Sequence, residues 1–132
     1  MKDETKDLDR DDLVELGFLR AVAARLPRDA EVLKAVGDLY TRVGLYEKGL
    51  ETDRKLVQLC PADSLVWYNL GCSLALLERR KEAVKALGNA VSLGYTDYEW
   101  MVRDNDLRSL REDRGFKSLL KRMAIHSAAQ SG

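Results

Sequence analysis

The sequence predicts an all-α fold built as a solenoid of helical hairpins. A thirty-four-residue pattern is written twice between Ala30 and Asp97. Leu33, Val36, Gly37 and Tyr40 recur one period later as Trp67, Leu70, Gly71 and Leu74, and Gly49, Leu50, Leu56, Val57 and Leu59 recur as Ala83, Val84, Ala90, Val91 and Leu93. Each period carries two apolar stripes at roughly the 3.6-residue spacing of an amphipathic helix. Breaks at Gly44 to Tyr46 and at Glu78 to Lys81 divide the stripes. Small residues recur where paired helices must approach closely.

Taken in order, residues 1–9 are polar and lack a face, which predicts a flexible N-terminus. A helix is expected from about Asp11, where Asp9, Asp11 and Asp12 supply capping oxygens and negative charge suited to the positive end of a helix dipole. Leu13, Leu16, Leu19, Val22, Ala23 and Leu26 form its stripe, and Pro27 closes it. Pro27 precedes Pro61 by one period, and Leu16, Leu19 and Val22 precede Leu50, Asp53 and Leu56 by the same step. Residues 10–27 therefore fill the second-helix slot of an incomplete repeat. Such a helix lacks its first-helix partner, which leaves part of an apolar surface uncovered around Phe18 and Ala21.

Two complete repeats follow, 30–63 and 64–97, with helices expected over 30–43, 46–59, 64–77 and 80–93. Gly94 suits a helix-ending position. Asp53 stands where the neighbouring units have Leu19 and Leu87. A lone buried carboxylate is costly, so the expectation is that the helix turns Asp53 outward; the alternative is a basic or hydroxyl partner.

These residues resemble the tetratricopeptide repeat (TPR), whose thirty-four-residue pattern combines Trp, Leu-Gly, Tyr, Ala, an aromatic, Ala and Pro. The second repeat shows it best, in Trp67-Tyr68-Asn69-Leu70-Gly71 followed by Ala83, Leu87 and Ala90; the first supplies Gly37, Tyr40, Gly44, Tyr46, Gly49 and Pro61. The resemblance implies a right-handed α-α superhelix with two full repeats, an N-terminal half-repeat and C-terminal capping helices. After Asp97 the register fades. Residues 98–125, with Asp104-Asn105-Asp106-Leu107 and Asp113-Arg114-Gly115-Phe116, look like the segment that closes bacterial TPR arrays, although Asn105 and Arg114 replace its two prolines and Gly115 its arginine. Leu107, Leu110, Phe116, Leu119, Leu120 and Met123 would cover the last hairpin, as solenoid caps must. Residues 126–132 are expected to be a flexible tail. An initial methionine and a closing segment lead us to expect a chain close to complete.

Composition narrows the function. A chain of 132 residues is about one domain and can bury about two-thirds of its extended surface. Its 22 basic and 22 acidic residues balance, so no net field draws in nucleic acid or anionic lipid. No apolar run reaches the roughly twenty residues of a membrane span, and the charged start is no signal peptide. The chain is read as cytoplasmic, with Cys60 and Cys72 as free thiols. Catalysis is not expected: there is one histidine, and no nucleophile, phosphate-loop, metalloprotease or dinucleotide motif occurs. Two thiols and one distant imidazole cannot close a zinc site, and no cofactor is expected.

The resemblance implies that first helices line a concave groove and that the groove binds protein. In the first repeat that face carries Lys34, Asp38 and Arg42; in the second it carries Leu65, Tyr68, Asn69, Cys72 and Leu76, which makes 64–77 apolar nearly all round. The expectation is an apolar trough floored by Tyr68 and Leu76, flanked by Lys34, Arg42 and Arg103, that takes a peptide with one apolar anchor and an acidic group. The alternative is that the closing segment, the tail or a second copy covers it. Family members that bind chaperone C-terminal carboxylates use a clamp of lysine, asparagine and arginine. Lys34, Asn69 and Arg103 match it, but Asp38 replaces an asparagine and Glu99 a lysine, and both would repel the anion. The sequence is thus read as a non-enzymatic interaction module, an adaptor or chaperone-like binder. The competing reading is a self-assembling protein that dimerises through Phe18, Ala21 or Leu65. An RNA-binding helical repeat would need a basic groove.

Overall fold

The computed structural model describes residues 9–131; the start of the expected flexible N-terminus lies outside them. Among the described residues there are seven α-helices, a 3-10 segment and no strand: α1 (Arg10–Arg25), α2 (Ala30–Arg42), α3 (Tyr46–Leu59), α4 (Ser64–Leu76), α5 (Arg80–Ser92), α6 (Tyr98–Arg103), the 3-10 segment (Asn105–Leu110) and α7 (Arg114–Ser131). The chain forms two compact units, 1–61 and 62–132, rather than the single domain its length suggests.

In the first unit α2 and α3 make a hairpin, with α1 laid against α2. Asp9 and Asp29 cap α1 and α2 by accepting hydrogen bonds from the backbone N–H groups of Asp11 and Val32, satisfying donors that the first turn leaves open. Leu33, Val36, Leu39 and Tyr40 of α2 and Leu50 and Leu56 of α3 are buried. The helices close over Gly37, where a Cβ would sit 3.2 Å from the methyl of Thr52 and 3.5 Å from a carboxylate oxygen of Asp53. Asp53 therefore does not turn outward: it is buried beside Gly37. Its carboxylate is answered there, since no buried side-chain nitrogen or oxygen among the described residues lacks a hydrogen-bond partner.

The second unit repeats the hairpin with α4 and α5. Here the approach is tighter, since a Cβ on Gly71 would fall 2.7 Å from Leu87, a fully buried side chain. Past α5 the chain turns at Gly94 (φ 111°), and α6 begins. Met101, fully buried, occupies the slot of Trp67 and Leu33 one and two periods earlier. The register thus persists beyond Asp97, where it was expected to fade, and α6 is the stub of a further first helix. Asp104 and Asp113 cap the next two elements, accepting from the N–H groups of Asp106 and Phe116 at 3.0 Å each. Proline at a first helical position lacks only an N–H that has no partner in the helix, which explains why Asn105 and Arg114 can replace the two prolines without loss of the turns. Leu107, Leu110, Phe116, Leu119 and Met123 are buried as the closing segment requires. The helix of that segment does not stop at a tail: α7 runs through His126 to Ser131, in a stretch with no proline or glycine to break it.

Candidate functional site

The residues expected to floor a trough lie in the second unit, and the chain itself covers them. α4 is apolar all round because two partners sandwich it, α5 on one side and the 3-10 segment on the other. Tyr68, Cys72 and Ala75 are buried, Leu76 half-buried, and Leu65 and Asn69 exposed. Tyr68 donates its hydroxyl hydrogen to Oδ2 of Asp104 at 2.6 Å, Cys72 points its thiol at the same oxygen at 3.7 Å, and the Tyr68 ring stacks on Tyr95 at 4.4 Å between centroids and 6° between planes. Further along α4, the Ser109 hydroxyl donates to the carbonyl of Ala75 at 2.8 Å, and the Arg80 guanidinium donates to the carbonyl of Ser109 at 3.1 Å. Cys72 and the Tyr68 hydroxyl are therefore covered, and Tyr68 keeps only a ring edge open to the surface. The sequence left this covering open as an alternative; polar side chains, which an apolar-stripe reading ignores, carry it out.

The electrostatics follow from this enclosure. Burial pushes the Tyr68 phenol far above its ordinary range, with the Cys72 thiol and the hydrogen bond to Asp104 adding to it. Burial raises Tyr95 to about 12. The Cys72 thiol is raised well above its usual value by burial first and by Asp104 and Asp106 next, so it is held as an unreactive thiol rather than a thiolate nucleophile. Burial and then Asp104 raise the Asp106 carboxyl. Cys72, Asp104 and Asp106 bring three ligand atoms within 4.8 Å of one another, a grouping that sequence spacing did not suggest. Both oxygens of Asp104 already accept hydrogen bonds, from Tyr68 and from the N–H of Asp106. The cluster works as a hydrogen-bond hub between α4 and the closing segment.

Beside this covered floor lies an open recess of about 410 Å³, lined by Leu65, Asn69, Gly94, Thr96, Asp97 and Trp100 around the edges of Tyr68 and Tyr95. Leu65 is 59 % exposed and Trp100 49 %. Trp100 was missed by sequence reasoning. It sits in the slot of Val32 and Val66, so the persistent register marks it as an apolar position, yet α6 is too short to be covered as α4 is. The Asp97 side chain caps α6 by accepting from the backbone N–H of Trp100 at 3.0 Å, which anchors the first turn that carries the indole. Of the remaining predicted site residues, Arg103 is exposed and directs its Nε to the Glu99 carbonyl at 3.3 Å. Lys34, Asp38 and Arg42 belong to the first unit. There Lys34 pairs with Glu31 at 3.5 Å, Asp38 is exposed, and Arg42 reaches Asp12 and Glu15 at 3.9 and 3.8 Å. Phe18 and Ala21 are exposed on α1.

The hairpin geometry is shared with known structures. Two crystal structures of MamA, a TPR-like protein, superpose with TM-scores of 0.68 and 0.63 at 20% and 19% identity, covering 82% and 86% of this chain and 61% and 68% of those. The chain has the tetratricopeptide-repeat fold. No protein-family model matches the sequence. Among curated proteins, this TPR chain is 31% identical over 85 residues to a chloroplastic protein of Arabidopsis thaliana, and 36% identical over 73 residues to the peroxisomal targeting signal receptor of Kluyveromyces lactis. It is 47% identical over 45 residues to the CTR9 homolog of Arabidopsis thaliana. These matches cover 62%, 54% and 34% of the TPR chain, which spans only 25%, 13% and 4% of the length of those relatives. The fold supports a protein-protein interaction module in general. No helix among the described residues is long and apolar enough to cross a membrane.

Proposed function

We propose that this chain is a non-enzymatic adaptor or chaperone-like binder that takes a peptide or protein segment on the recess edged by Leu65 and Trp100. One observation carries the reading: two large apolar side chains stay about half exposed at the rim of a single recess, while nearly everything else apolar on α4 is covered. Tryptophan at the edge of a stacked aromatic pair offers large contact area and few rotamers to freeze, the profile of residues that dominate binding energy. Asp97 and Glu99 flank it, so the fitting ligand has an apolar anchor with a basic neighbour, rather than the acidic group expected from the sequence. Leu65 and Trp100 bury the anchor and Asn69 holds the peptide backbone. A displayed random-peptide library should be enriched by the native chain for an apolar anchor next to Lys or Arg, and not by a Leu65→Ser/Trp100→Ala variant with unchanged helicity. Equal enrichment by the two proteins would remove the recess as the binding site. The competing reading, a self-assembling protein, draws on a different observation, the exposure of Phe18.

A further inference from the structure

α7 outlasts its own packing. Met123 is the last of its described side chains to be buried, yet the helix runs on to Ser131, about two further turns. Arg122, His126 and Gln130 recur every fourth residue across this end and so share one face. That face borders a second recess of the same unit, about 370 Å³ in volume, between α7 and the end of α5. Buried Tyr95, Leu119 and Met123 give the recess an apolar floor. No acidic side chain lines it, and Arg122 forms no ion pair among the described residues. The last turns of α7 therefore add little to the core; they add a cation and N–H donors to the wall of a cleft.

This cleft adjoins the Leu65–Trp100 recess. Gly94, Tyr95 and Thr96 line both, so a single strip of chain separates them. Gly94 is exposed, and a Cβ there would meet nothing within 4 Å, which leaves the strip low and open at that point. The two sides differ in charge: Asp97 lines the first recess with no basic residue beside it, whereas Arg122 and His126 line the second with no acidic one. A ligand confined to one recess meets one kind of charge; an extended segment meets both in turn. Recesses of these volumes are each about 9 Å across, so about three residues of extended chain, at ~3.3 Å each, lead from one to the other. We propose that the segment anchored by Leu65 and Trp100 continues over Gly94 and sets an acidic side chain against Arg122, about three residues from its apolar anchor. The ligand class is then a bipolar extended peptide, with a basic residue beside the anchor and an acidic one past the crossing. This rests on the Leu65–Trp100 recess being the binding site.

A displayed random-peptide library is the probe. Selected on the native chain, it should be enriched for an apolar residue beside Lys or Arg, with Asp or Glu about two to four residues from the anchor in extended chain. Arg122→Glu, at an exposed position, should keep its helicity and the anchor preference while exchanging the acidic preference for Lys or Arg. A synthetic peptide of the enriched sequence should bind the native chain roughly two- to fivefold more weakly when its acidic residue is replaced by the amide, the size expected of an exposed charge pair. On an Arg122→Gln chain the same replacement should cost nothing, which isolates the pairing. Anchor enrichment without a linked acidic residue overturns the crossing and leaves the Leu65–Trp100 site standing. An acidic preference that survives both changes at Arg122 overturns it as well, because the acid is then answered elsewhere. If the Leu65→Ser/Trp100→Ala variant enriches the same peptides as the native chain, the recess itself fails as the binding site and the crossing fails with it.

Discussion

Replacing Tyr68 by phenylalanine removes one oxygen and leaves the ring stacked on Tyr95, so it isolates the hydrogen bond that holds the closing segment on α4. The bond is short, 2.6 Å, and its acceptor is a carboxylate that is 7 % exposed. Without it, Oδ2 of Asp104 keeps only the weak thiol donor of Cys72 at 3.7 Å, too long and too poor a donor to stand in for the phenol. Hydrogen bonds to charged groups are worth about 1.5–3 kcal/mol, and stranding the buried partner adds to the loss. The expected destabilisation is therefore about 2–3 kcal/mol. For a chain of this size that lowers the melting temperature by roughly 6–12 °C, at about 3–4 °C per kcal/mol. Urea unfolding followed by tryptophan fluorescence measures it, because Trp100 sits on the segment that would loosen first. Asp104→Asn serves as the second arm of a double-mutant cycle, which should return a coupling of about 1–2 kcal/mol between the two positions. A Tyr68→Phe protein within about 0.5 kcal/mol of the native chain, inside the range of ordinary surface changes, would show that apolar burial alone seats the segment and that the hub adds nothing.

Other outcomes follow from the same packing. Gly71→Ala would drive a methyl into buried Leu87 at 2.7 Å and should cost about 1–3 kcal/mol, whereas Gly37→Ala, facing a methyl at 3.2 Å, should come near neutral because helix propensity offsets mild crowding; thermal melts of the pair test the difference. Glu78 holds a left-handed backbone (φ 57°) one period after Gly44 (φ 85°), so Glu78→Gly should stabilise by about 0.5–1 kcal/mol despite losing a surface ion pair to Arg80; an unchanged urea midpoint would argue against strain there. At alkaline pH the phenols set the sign. Tyr95 is raised from 10.0 to about 12 and Tyr68 further still, so the folded chain keeps protons that the unfolded chain releases. Stability is intact below pH 10 and falls as pH climbs from 10 toward 12. Tyrosinate absorbance should show Tyr68 and Tyr95 ionising late, together with loss of structure, and ionisation of these two near 10 in the folded chain would contradict the buried stack.

The hairpins were legible in the sequence because their cause is periodic. A stripe every 3.6 residues, a small residue at each close approach and a helix break between them are all local, and the expected helix limits agree with the observed ones to within a residue. Three features were not legible. Asp53 was expected outside on the cost of burying an unanswered charge, but its carboxylate is partnered in the fold, and the local stripe does not show what the hairpin brings beside it. The fate of α4 could not be read from α4, since a helix apolar on every side looks the same whether it is exposed or sandwiched. What decided it were Asp104 and Ser109, polar residues about one period downstream whose evident local task was capping or solvation. Trp100 escaped because the repeat seemed to end before it, when only the length of its helix had changed.

The covered face redirects the functional argument rather than closing it. A TPR groove lined by first helices was expected to be greasy at Tyr68, but in the second unit the closing segment already supplies that face with its own apolar side chains and its own anion. Asp104 occupies the slot of Val36 and Leu70 and places a buried carboxylate where an incoming acidic group would have to be answered. A ligand carboxylate near it meets repulsion in a low-dielectric setting, where a charge pair is worth several times its value in water. The same reasoning makes Tyr68→Glu a disruption of folding, since it adds a carboxylate next to Asp104 and Asp106, and not a probe of binding. Binding variants belong at Leu65 and Trp100, whose side chains contact the recess and whose removal leaves the Tyr68–Asp104 hub in place. Comparing the two sets separates loss of a surface from loss of the scaffold behind it.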